Sequence, residues 1–92
     1  MAETKGRVLV VDDEAPIREI ITRKLSADGY EMNDASEADS ALKELARDDY
    51  DCVLSDIHMP GMDGVELLRR IRVTDQDIAV ILITGAPDME AA

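Results

Sequence analysis

Four short strand-like runs, at residues 7–11, 30–35, 52–55 and 78–84, alternate with stretches whose apolar residues recur at helical spacing. This strand–helix alternation constrains the fold more than any other feature of the chain. It requires a parallel sheet with helices on both faces, joined by right-handed crossovers. At 92 residues the chain is at most one small domain. Aromatic residues make up only 2%, so Val, Ile, Leu, Ala and Met must build the core.

Local signals fill in the elements. Ile17, Ile20, Ile21 and Leu25 mark helix one, with Pro16 in its first turn and Gly29 placed to end it. Residues 30–35 form a weaker strand, expected at a sheet edge. Ser36 and Asp39 resemble a capping box for helix two, whose stripe is Ala38, Ala41, Leu42 and Leu45. Asp63 with Glu66 is expected to cap helix three, with Val65, Leu68 and Ile71 facing inward and Leu67 beside them. The fourth strand is the most apolar and is expected to be buried on both faces. Residues 87–90 read as the opening turn of a fourth helix.

Three acids stand out. Asp12 and Asp13 follow the run Val8-Leu9-Val10-Val11, and Asp56 follows Cys52-Val53-Leu54-Ser55. In parallel α/β sheets the carboxyl ends of the strands open onto the crevice where ligands bind. Adjacent strands would bring these three carboxylates into one pocket, where their repulsion calls for a cation. Asp13 also suits capping of helix one. Asp63 reads as a cap with no chemical role, Glu14 as either a further acid behind the site or, equally, a solvated helix start, and Met59 and Met62 as loop packing.

Composition narrows the function classes. A net charge of −11 opposes binding to nucleic acid and to anionic membranes, so a protein partner is expected. The single cysteine, Cys52, excludes an internal disulfide and is read as core packing. With no apolar stretch of spanning length and a polar start, a cytoplasmic setting is expected. No Walker or G-x-G-x-x-G segment is present.

Together, Val8-Leu9-Val10-Val11-Asp12-Asp13-Glu14, residues 54–64 (Leu-Ser-Asp-Ile-His-Met-Pro-Gly-Met-Asp-Gly) and Leu82-Ile83-Thr84-Gly85 resemble the response-regulator receiver domain of two-component signalling. The resemblance implies a flavodoxin-like, doubly wound sheet. It also implies that Asp56 accepts a phosphoryl group from a histidine kinase or phosphotransfer protein. Mg²⁺ would be held by Asp12, Asp13, Asp56 and the backbone carbonyl of His58, whose side chain faces solvent. Thr84 would contact the phosphoryl group and reorient on switching. Mg²⁺ prefers oxygen ligands and suits one or two carboxylates plus a phosphate oxygen.

The family carries a lysine at the end of a fifth strand, and Lys5, Lys24 and Lys43 do not match that position. The chain is therefore read as the N-terminal portion, residues 1–92, of a single receiver, with strand order 2-1-3-4 and no fifth strand or helix. Impaired phosphotransfer is expected, as is self-association through the open edge of strand four or the bare sheet face. The reading is a signalling module and not an enzyme. A dehalogenase-like phosphatase would need a second acid where His58 stands. The alternative is a phosphorylation-incompetent interaction module that keeps the acids.

Overall fold

A computed structural model describes residues 4–83. The elements run β1 (Arg7–Val11), α1 (Ala15–Ala27), β2 (Glu31–Ala35), α2 (Ala38–Arg47), β3 (Cys52–Asp56), α3 (Gly64–Thr74) and β4 (Ala79–Ile83). All strand pairs are parallel and the order is β2-β1-β3-β4. This is the flavodoxin-like arrangement expected, with β2 at an edge. Thr84 and the turn expected at residues 87–90 lie outside the described residues.

Side-chain alternation along the strands divides the apolar residues between two faces. Leu9, Val11 and Val53 point into the main core with Ala38, Ala41, Leu67 and Ile71 from α2 and α3. Val8 and Val10 point the other way, and both are buried. The contacts of α1 with β1 and β2 place it over that second face. None of its own residues is buried, and Ile20 is 61% exposed.

Local closures mark the start of α3 and the end of α1. Asp63 accepts a hydrogen bond from the Glu66 amide at 2.9 Å, so α3 starts as expected. Gly29, with φ +104°, follows the end of α1. There the Tyr30 amide reaches back to the Leu25 carbonyl at 3.1 Å, a closure that favours a residue free of a Cβ. Tyr50 ties strand to helix in the core. Its hydroxyl accepts from Asn33 at 2.7 Å and donates to Glu44 at 2.9 Å.

Four expectations need correction. The Ser36–Asp39 capping box does not form: Glu37 is the N-cap of α2, with no side-chain cap bond. Asp13 does not cap α1, whose N-cap is Glu14. The inner face of α3 is Leu67 and Ile71, four residues apart, while Val65 is 44% exposed and Leu68 only half-buried. Packing against the sheet, rather than the local apolar pattern, sets how that helix is rolled. Finally, β4 is not buried on both faces, since Ile81 is 50% exposed. It is an edge strand among the described residues, and its apolar run does not reveal what covers it.

Leu67→Ala should lower stability by about 2–5 kcal/mol through lost burial and cavity formation. Val65→Ala should change it by no more than about 0.5 kcal/mol. Urea unfolding of the two variants checks which face of α3 is internal, and equal losses would contradict the packing described.

Candidate functional site

The site follows from strand register. Val11 of β1 lies opposite Ser55 of β3, so the next residues, Asp12 and Asp56, emerge side by side at the carboxyl rim of the sheet. The Asp12 amide also bonds the Ala35 carbonyl at 3.1 Å, holding the end of β1 against β2. Asp13 is exposed at the mouth, whereas Asp12 is 2% and Asp56 8% accessible. One carboxylate oxygen from each of the three lies within 4.8 Å of the others. The convergence of carboxylates anticipated from sequence is therefore present.

Backbone groups orient these acids. The Glu14 amide donates to Asp12 Oδ1 at 2.8 Å, and the His58 amide to Asp56 Oδ1 at 3.2 Å. The buried Ser55 hydroxyl donates to the Asp56 carbonyl at 3.0 Å. His58 is exposed, and Met59 is buried in the core with Met62 packed against it. Cys52 is half-buried. Burial and neighbouring Asp51 both push its thiol up, so it stays protonated and packs as an apolar group.

Two contributors had no clear sequence signal. Arg18, on α1, donates through Nη1 to the Asp12 carbonyl at 2.7 Å and through Nε to Asp34 Oδ2 at 3.2 Å. It brings a cation behind the acid cluster, and only its helical position was visible beforehand. Gly64 opens α3 directly against the Asp56 backbone. A Cβ there would overlap the Asp56 carbonyl oxygen and stand 3.0 Å from Ile57 Cα. The glycine after the Asp63 cap was legible as a residue, but its close approach to β3 was not.

The electrostatics are unbalanced. Burial pushes the Asp12 carboxyl above its ordinary range, and Asp56 and Asp13 push it the same way. The Glu14 amide and Arg18 oppose the rise without cancelling it. The donors are all carboxylate oxygens, a set that suits a hard divalent cation and not a soft one. Such a cation would be held by Asp12, Asp13 and Asp56. Thr84, expected to face the same pocket, lies outside the described residues.

A raised folded-state value means that the folded protein binds a proton more readily than the unfolded chain. The associated stability is complete below the ordinary carboxylate value and is lost as pH rises through the raised one. Asp12→Asn, which keeps an oxygen for the Glu14 amide, should therefore raise the Tm of the metal-free protein by a few degrees at neutral pH. That advantage should vanish at pH values below the ordinary carboxylate range. A lower Tm at neutral pH, measured by scanning calorimetry with chelator present, would contradict the charge balance described.

Comparison with known proteins agrees with the geometry. The sequence model of the response regulator receiver domain matches residues 8–92. The chain is 34% identical over 89 residues to the transcriptional regulatory protein FixJ of Bradyrhizobium diazoefficiens, covering 97% of this chain and 43% of that protein. It is 34% identical over 84 residues to sporulation initiation phosphotransferase F of Bacillus subtilis, covering 91% of this chain and 68% of that one. It thus spans less than half the length of the first curated relatives it matches. Among solved structures, the response regulator TrrA of Thermotoga maritima in complex with Mg²⁺ and BeF superposes with a TM-score of 0.84 at 40% identity, over 92% of this chain and 74% of that one. TrrA in complex with the histidine kinase ThkA gives 0.83, again at 40% identity, over 94% and 74%. The strand order, the acid pocket and these matches agree: the chain belongs to the response regulator receiver domain family.

Proposed function

We propose that this chain takes a phosphoryl group onto Asp56 from the phosphohistidine of a histidine kinase or phosphotransfer protein. The observation that carries this reading is the convergence of Asp12, Asp13 and Asp56 at the carboxyl rim of the sheet. The complexes of TrrA with Mg²⁺-BeF and with a histidine kinase support it by similarity. In the transfer, the P–N bond to the donor imidazole breaks as a P–O bond forms to the Asp56 carboxylate. The His58 amide holds Oδ1 in place and so orients the attacking carboxylate.

Mg²⁺, when bound by Asp12, Asp13, Asp56 and the His58 carbonyl, offsets the repulsion between the carboxylates and an incoming phosphoryl group. The chain's own residues prepare that position. Ser55 and Gly64 fix the Asp56 backbone, and Arg18 and the Glu14 amide fix Asp12. Thr84 is assigned the phosphoryl contact from the family resemblance. With no lysine after Lys43 in this sequence, the 92-residue chain should be modified more slowly than a receiver that carries one. We read residues 1–92 as the N-terminal portion of one receiver domain.

Incubation with acetyl phosphate and Mg²⁺ should add one phosphoryl group by intact-mass measurement. Asp56→Asn or a chelator should abolish the addition. An adduct that persists in Asp56→Asn would remove the assignment, and a rate matching a lysine-bearing receiver would remove the impairment.

We also propose self-association through β4, supported by the exposure of Ile81 on an apolar edge strand. Light scattering at tens of micromolar, a concentration scale typical of weak association, should give a mass above the monomer. Ile81→Lys should return it to the monomer value, and a monomer in the unsubstituted chain would refute the idea.

A further inference from the structure

The end of the sheet opposite the acids carries a groove that phosphotransfer does not use. It lies between the C-terminal halves of α2 and α3 and has a volume of about 660 Å³. Buried Tyr50, Ile71 and Ile78 form its floor, and half-buried Leu42 and Leu45 form a wall. At the rim stands Val73, 81% exposed on the last turn of α3. An aliphatic side chain so exposed beside an apolar recess is a feature of surfaces that meet a partner.

Acidic side chains outnumber basic ones along the rim, where Asp48, Asp49, Glu66 and Asp75 stand against Arg70. Both helices end here with carbonyls that carry partial negative charge, set against Arg47 and Arg72 in their last turns. Asp49 and Asp75 add two carboxylates with no basic side chain within 4.0 Å among the described residues. Arg70, the one basic residue of the lining, already pairs with Glu66 at 3.2 Å. An apolar floor under an acidic rim selects an occupant that is apolar along one stripe and positively charged beside it.

We propose that this groove docks a basic amphipathic helix of a partner protein. Its apolar residues, at i, i+3, i+4 and i+7, would fill the recess over Tyr50 and Ile71, and its flanking lysines or arginines would face Asp49 and Asp75. The groove and the acid pocket lie at opposite ends of the strands, so neither occupant excludes the other. The inference does not depend on phosphorylation.

The test uses the full chain, ¹⁵N-labelled, titrated with a synthetic helix bearing leucines at those spacings and lysines elsewhere. A scrambled peptide of the same composition is the control. Saturable amide shifts confined to α2, α3 and the residues before β3 and β4 are expected, with little response to the scrambled peptide. Val73→Lys, which should fold because the side chain is exposed, should weaken binding about tenfold or more, as removal of an anchor does. Equal binding of the scrambled peptide, shifts centred elsewhere, or no effect of Val73→Lys would overturn the proposal. So would a drop in scattering mass on Val73→Lys with peptide binding unchanged, because the groove would then hold a second copy of the chain.

Discussion

The pairing of Val11 with Ser55 is the constraint on which the site depends. Once β1 and β3 lie in that register, the residues that follow them are two carboxylates with almost no access to water. Folding therefore brings together like charges that the unfolded chain keeps apart and hydrated. The hydrophobic strands tolerate this because their own burial is extensive, with Leu9, Val10, Val11 and Val53 fully enclosed. The result is a rigid sheet whose rim holds an electrostatic debt, partly offset by backbone amides and by Arg18. Such local conflict within an otherwise consistent structure is the usual mark of a working site.

Much of this was legible in the sequence because it depends on short-range pattern. Strand and helix order follows from periodicity, and the Asp63 cap from residues three apart. Even the acid pocket needed only the rule that ligands gather at the carboxyl ends of parallel strands. What escaped depends on packing between distant segments. Leu67 outranks Val65 because of what the sheet offers α3, and no local count of apolar residues contains that information. Glu37 displaces the expected Ser36 cap because the chain enters α2 one residue later. Arg18 becomes part of the site only when α1 lies across the ends of β1 and β2.

The two faces of the sheet are covered differently. On the α2/α3 side, aliphatic residues from both layers form one continuous core, reinforced by the Asn33–Tyr50–Glu44 chain of hydrogen bonds. On the α1 side, cover is concentrated over β1 and β2, and among the described residues it thins toward β4. The same sequence period that builds the strands thus yields a sealed face and a partly open one.

The absence of a side chain at Gly64 has a mechanical meaning. With helix and strand backbones in direct contact there, no flexible group lies between them to absorb movement. Close-packed interiors transmit displacement instead of damping it. One end of α3 is therefore seated directly on the acid-bearing strand. Its other end borders the groove at Val73, so a single helix spans the distance from the acid-bearing rim to that recess.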